Sequence, residues 1–334
     1  MLKLNITYSL YIKELPSMNE IRVDKLTGRQ VIIATNRSNR PIHSNHKLRI
    51  SSDTDMPVHD IKCPFCKGNE EETPIEIYRT GKDHWKVRVV KNKYPTIVED
   101  GESIKGYHYV VIETLEHNTK LYQYDVEKWR DIFTAYKYTV EKCFEDKDMA
   151  FIQIFKNYGV KGGASIEHPH SQIIALNFTP TSRTSKSSGC LVCEEINSEL
   201  SFKERVIFDN EHYIVYSPYG SYVQNQIRIA WRKHSSSIED VFNSENITRL
   251  SDLMAKVFSM IFHSLGDIAL NICYYIEKNN DSLSHFYIDI FPREGFFAGF
   301  EMSTQVFINV TSPEEAANKF RQAANYVHDR QEEL

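Results

Sequence analysis

Two C-x2-C pairs, Cys63/Cys66 and Cys190/Cys193, constrain what this chain can fold into more than any other feature. Each pair is followed at long range by two histidines. His117 and His168 follow the first and His234 and His285 the second, and in both cases the histidines stand 51 residues apart. A spacing that recurs with matched residue types marks an internal duplication. The text also rhymes between the halves, with KVRVVKNKYPTIV at 86–98 beside ERVIFDNEHYIVY at 204–216. Two thiolates and two distant imidazoles form a four-donor set suited to tetrahedral zinc. The expected sets are Cys63, Cys66, His117, His168 and Cys190, Cys193, His234, His285. Each would close a long loop, so both metals are expected to be structural, with no position left open for substrate. The alternative is a pair of redox or chance C-x2-C motifs with surface histidines, which the parallel histidine positions argue against.

Strand-like alternation is read at 30–35, 86–92, 107–114, 151–157 and 170–176, then at 205–209, 212–217, 226–231, 270–277 and 285–291. Helical periodicity runs over 123–145, 238–265 and 313–331. The last opens with Thr311 or Ser312 as cap and Pro313 in the first turn. The Ser/Thr/Gly-rich stretch 179–189 is the natural seam. The expected division is 18–182 and 183–334, with residues 1–17 read as an appendage or as an upstream misplaced start.

A net charge of -5 over 334 residues offers no electrostatic case for a nucleic-acid or membrane partner. No basic stripe with interleaved aromatics supports a zinc-ribbon nucleic-acid binder. No stretch approaches the roughly 20 apolar residues of a membrane helix, and the N-terminus lacks signal-peptide features. Unpaired C-x2-C thiols fit a reducing compartment, so the protein is expected in the cytoplasm. Cys143 and Cys273 stand apart and are expected only to pack.

The segment NYGVKGGASIEHPHSQIIAL (157–176) carries the chemistry. Gly159, Gly162 and Gly163 allow backbone N–H groups to approach an anion closely. In the strand that follows, residues two apart share a face, so His168, His170 and Gln172 are expected to point one way. One can serve the metal, the next can attack phosphorus, and the amide can hold a phosphoryl oxygen. In the second half the matching positions read His285, Tyr287, Asp289. The metal-type histidine remains while nucleophile and amide are gone, so only the first half is expected to react.

These motifs resemble the galactose-1-phosphate uridylyltransferase family of the histidine-triad superfamily, including ADP-glucose phosphorylase-like relatives. The likeness runs from about residue 20 to the C-terminus. It rests on RVDKLTGRQVIIATNRSNRP, CPFCKGNEEETP, WKVRVVKNKYP, GYHYVVIETLEHN, HPHSQ and GFEMSTQVFINVTSPEEAANKFR. The resemblance implies an α+β fold of two histidine-triad-like domains in tandem, each a mostly antiparallel sheet flanked by helices, and a homodimer. It implies transfer of a nucleoside monophosphate, UMP being the expected group, from a sugar nucleotide to a sugar 1-phosphate through a nucleotidyl-histidine on His170. Gln172 and Ser165 would serve the phosphates with it. Asn157 would contact the phosphates too, Arg37, Arg40 and Asn92 would lie near the nucleotide, and Phe300 and Glu301 would meet the hexose across a dimer interface; Gly163 of the glycine turn is a further expected substrate contact. Tyr287 departs from members with a second-half His-x-His pair and a different metal there; the second C-x2-C resembles members with two zincs. Transfer to inorganic phosphate, hydrolysis, and nucleotide binding without chemistry remain as alternatives.

Overall fold

The computed structural model describes residues 19–39, 56–81, 84–180, 189–276 and 283–332. Residues 1–17, Arg40 and most of the expected seam lie outside the described residues. Two short strands come first, β1 (Glu20–Val23) and β2 (Gln30–Ile33). The first half then supplies β3 (Glu76–Thr80), β4 (Val87–Lys91), β5 (Gly106–Ile112), β6 (Phe151–Tyr158) and β7 (His170–Leu176). The second half supplies β8 (Val206–Asp209), β9 (Tyr213–Tyr216), β10 (Ile227–Trp231), β11 (Leu270–Ile276) and β12 (Tyr287–Pro292). A late strand, β13 (Val306–Asn309), runs parallel to β2 and closes a three-stranded sheet with β1 and β2.

The ten middle strands form one sheet in the order β3-β4-β5-β7-β6-β11-β12-β10-β9-β8. Read outward from its centre, each half has the same order of strands. The repeat therefore shows in topology as well as in text, and the fold is α+β with a duplicated, antiparallel sheet. The halves do not build separate sheets. They join where β6 pairs antiparallel with β11, from Leu270↔Tyr158 to Ile276↔Ile152.

The helices are α1 (Val126–Glu145), α2 (Leu191–Phe202), α3 (Ile238–Val241), α4 (Ser244–Leu265), α5 (Gly299–Thr304) and α6 (Pro313–Glu332). Helices α1 and α4 occupy equivalent places in the two halves and pack on one face of the sheet. Trp129 of α1 stacks on Phe258 of α4 with ring centroids 5.3 Å apart, and Phe133 and Tyr136 meet Tyr274 of β11 edge-on. The strands alternate to suit this layer. On β7, Ile173 and Ala175 are buried in the helix-side core, while His170, Gln172 and Ile174 face the other way. Removing a ring such as that of Phe133, fully buried, costs about 3–5 kcal/mol in a core of this kind.

The structure amends the expected elements at several points. The helix expected over 238–265 is two, because Asn243 accepts from the Asn246 N–H and starts a new helix after Phe242. The helix expected from 123 starts at Val126, where Asp125 accepts from the Lys128 N–H. For α6 the cap is Ser312, in a reciprocal pair with Glu315. His168 lies just before β7 rather than within it. Strands β1, β3 and β13 and helices α2 and α5 were not among the expected elements. Among the described residues no helix is long and apolar enough to cross a membrane.

Candidate active site and metal clusters

The open face of the first half is covered by the loop that holds Cys63 and Cys66, which packs on Val90, Val110 and Ile112. His117 follows β5 and His168 precedes β7, and these adjacent strands bring both rings to the loop. The donor atoms of Cys63, Cys66, His117 and His168 lie within 4.8 Å of one another, and all four residues are buried. Cys66 Sγ is 3.5 Å from His117 Nδ1 and 3.6 Å from His168 Nδ1. His168 Nε2 faces the Thr114 carbonyl at 2.9 Å, so Nε2 carries the ring hydrogen and Nδ1 offers its lone pair. Burial pushes the Cys63 thiol up to about 11 and His168 down to about 4. A packed set of two thiols and two imidazoles is a fit for a thiophilic divalent cation that replaces the thiol protons.

The second half repeats this geometry. Cys190, Cys193, His234 and His285 bring their donors within the same 4.8 Å. Cys193 Sγ lies 3.3 Å from both His234 Nδ1 and His285 Nδ1. His285 Nε2 donates to the Trp231 carbonyl at 2.6 Å, the counterpart of the His168 bond. Both clusters can therefore hold a metal ion.

Beyond the clusters the halves diverge. In the first, the His170 ring is buried and its Nδ1 lies 2.9 Å from the His168 carbonyl. A carbonyl only accepts, so Nδ1 donates and Nε2 keeps a lone pair. Burial holds the imidazole below the ordinary histidine value, hence neutral. Phe65 lies against the ring at 5.3 Å. The His170 carbonyl accepts from Lys156 Nζ at 3.1 Å, and Lys156 pairs with Glu113 Oε2 at 2.6 Å, which also accepts from Tyr124. Burial draws the Lys156 ammonium below the usual lysine value against the pull of that carboxylate.

A cleft of about 360 Å³ opens beside His170. Asn157, Gly159, Lys161, Lys156 and Lys120 help to line it. Its glycine turn is shaped by close approach. A Cβ on Gly162 would stand 2.7 Å from the Leu270 carbonyl oxygen, and Gly163 is left-handed at φ 84°. Asn271 of β11 braces the turn from the second half, donating to the Gly162 carbonyl at 2.6 Å and to Asn157 Oδ1 at 2.8 Å.

In the second half the corresponding space is filled. Asp289 grips Arg228 with two bonds, 2.7 and 3.0 Å, and Glu195 and Asp24 complete the cage at 2.8 and 3.3 Å. All four side chains are buried. Tyr287 stacks on Tyr275 at 4.2 Å.

The expected site residues divide in consequence. His170, Gln172, Asn157, Asn92 and Gly163 belong to the open face of the first half or its rim. Ser165 is exposed on the loop before His168, and Arg37 is exposed on a turn after β2. No described contact ties Arg37 to His170. Phe300 and Glu301 sit on α5, where Glu301 accepts from the Ala298 N–H. The segment leading to them passes near the cleft, with Lys161 Nζ 5.7 Å from the Phe296 ring centre. Lys156, Glu113, His108 and Asn271 were missed. A lone lysine in FIQIFKN and a lone glutamate in VVIET were the available signals for one pair.

The profile of the galactose-1-phosphate uridyl transferase N-terminal domain matches residues 12–180. The chain belongs to this family. A domain of unknown function also matches residues 108–333. The family's relatives include the ADP-glucose phosphorylase of Arabidopsis thaliana, 28% identical over 91% of this chain and 93% of that protein. The galactose-1-phosphate uridylyltransferase of Thermotoga maritima is 24% identical over 91% and 98%. The crystal structure of the Arabidopsis phosphorylase with bound ADP-glucose superimposes with a TM-score of 0.76 at 27% identity, covering 91% of this chain and 99% of that one.

Proposed function

We propose that the chain is a nucleotidyltransferase in which His170 Nε2 takes a nucleoside monophosphate from a sugar nucleotide and passes it to a phosphate-bearing acceptor. One observation carries this reading: the Nδ1 hydrogen is committed to the His168 carbonyl at 2.9 Å, which directs the lone pair of a neutral, buried ring outward through Nε2. Nε2 attacks the α-phosphorus, the N–P bond forms, and the P–O bond to the sugar phosphate breaks with its electrons going to the leaving sugar 1-phosphate. An acceptor phosphate oxygen then attacks the phosphoramidate and restores neutral His170. Gln172 and the backbone of the glycine turn stabilise the charge on the transferring oxygens.

The first donor to test is an ADP-sugar with inorganic phosphate as acceptor, as the Arabidopsis phosphorylase supports it over nearly the whole chain. UMP transfer to a sugar 1-phosphate, the expectation from sequence, is the second reading, favoured by the family profile over residues 12–180. We propose zinc for both clusters, where it would cross-link loops to strands and supply rigidity rather than Lewis acidity. Ser165, Arg37 and Arg40 are proposed phosphate contacts. Phe300 and Glu301 are proposed to serve the sugar, completing the site of a second subunit in a cytoplasmic homodimer.

The test is labelling with α-32P ADP-glucose and UDP-glucose, each without acceptor. The expected result is an acid-labile, base-stable label from one donor, absent in His170→Asn at unchanged metal content. Turnover retained in that variant overturns the mechanism. Nucleotide released without acceptor points to hydrolysis, and no label from either donor points to binding alone.

A further inference from the structure

The Gln172 amide can stabilise a phosphoryl oxygen only through its NH2 hydrogens, so its orientation matters. The residue that sets it is on the neighbouring strand. His108 of β5 has Nδ1 3.0 Å from the Thr96 backbone nitrogen, a group that only donates. Nδ1 is therefore the lone-pair nitrogen and Nε2 carries the ring hydrogen. That Nε2 lies 2.9 Å from Gln172 Oε1. Burial keeps the His108 ring below the ordinary histidine value, so it stays in this neutral tautomer. Asn92 Nδ2 is 3.0 Å from the same Nε2, while Asn92 Oδ1 accepts from the Tyr94 N–H at 2.8 Å. Two donors cannot bond each other, so the ring hydrogen goes to Gln172 and the Asn92 amide hydrogens stay available to another acceptor.

We infer that His108 is a positioning residue for nucleotidyl transfer. By holding Gln172 Oε1, it turns the Gln172 NH2 group toward the phosphate of the donor, with the Asn92 amide beside it as a second N–H source. The Thr96 N–H sets the ring tautomer, so the loop after β4 reaches the phosphate site through two polar side chains on adjacent strands, His108 of β5 and Gln172 of β7. The inference rests on the transfer reading proposed for His170.

Two substitutions separate the two ring nitrogens. His108→Asn keeps a group where Nδ1 stood, able to accept from Thr96, and loses the Nε2 donor. His108→Gln reaches the Nε2 place with an amide N–H. The measurement is the single-turnover rate of protein labelling from α-32P ADP-glucose and UDP-glucose over a range of donor concentrations. His108→Asn is expected to slow labelling at saturating donor by about ten- to a hundredfold, with the half-saturating concentration little changed, as for a donor that matters in the transition state. His108→Gln recovers most of the rate. In a Gln172→Ala background His108→Asn adds no further loss, because the two act as one unit. Three results overturn the inference: wild-type labelling in His108→Asn, a His108→Gln variant as slow as His108→Asn, or an equal loss with and without Gln172. If wild type labels at His170 and one of these occurs, only the role of His108 fails. If neither donor labels wild type, the transfer reading fails and this inference with it.

Discussion

Lys156→Met is expected to destabilise the protein by about 3–5 kcal/mol, the usual cost of leaving one partner of a buried ion pair alone. Lys156 and Glu113 are both buried and 2.6 Å apart. Glu113 Oε1 is buried without a hydrogen-bond partner, so the carboxylate has little else to lean on. Its Oε2 would retain only the Tyr124 hydroxyl at 2.8 Å. Methionine fills most of the lysine volume, which keeps the cavity contribution small and makes the lost charge the dominant effect. Adding Glu113→Gln removes the stranded charge yet leaves an acceptor for Tyr124, and recovers at least about 2 kcal/mol of the loss. Equilibrium unfolding in urea of wild type, the Lys156→Met variant and the double variant measures this directly. A Lys156→Met variant within about 1 kcal/mol of wild type refutes the reasoning, since that is the range of an exposed pair. A double variant no more stable than the single one refutes it as well.

Removing metal should act on stability before it acts on chemistry. Cys66→Ser and Cys190→Ser should each lower bound metal, measured by atomic emission, and lower the melting temperature. Unchanged metal content in both would remove the clusters from the account. Asn271→Ala should slow labelling about tenfold or more through the loosened glycine turn, at unchanged metal content. Labelling at the wild-type rate would show that the brace is dispensable. Arg228→Leu should destabilise by at least about 3 kcal/mol because it strands the buried carboxylates of Asp24, Glu195 and Asp289. A melting temperature equal to wild type would mean those groups find other partners.

The metal-type residues were legible because identity and spacing alone define a donor set, and a duplicated spacing is its own control. The strand carrying His170 was legible at its true limits, since HSQIIAL is a short run with β-branched residues bounded by Pro169 and Asn177. What escaped depends on pairing that no local pattern records. Strands β1 and β13 are four residues long; β1 pairs with the next strand, β2, while β13 reaches β2 across most of the chain length. Asn243 reads as an ordinary polar position in a long helix until its side chain is seen to start a new one. Glu113 and Lys156 look like isolated charges in apolar strands; their contact comes from β5 and β6 flanking the same strand, β7. Asn271 reaches the glycine turn because β11 lies beside β6, a neighbour relation that spacing cannot supply. The filled second-half site was half visible, in Tyr287 and Asp289. Its Arg228 partner read only as an exception within QIRIAW.

The seam between β6 and β11 makes each half indispensable to the other. Seven consecutive residues of each strand face each other there, so cutting the chain in two would bare a long, flat, sticky edge on each piece. Since the strand order is the same on both sides of that seam, a chain with only one set of five strands could heal its edge by lying against its own copy. The present molecule has the form of such a pair joined end to end. One side holds a salt-bridged core around Arg228 where the other has the cleft beside His170, and it lends Asn271 to the glycine turn of the other.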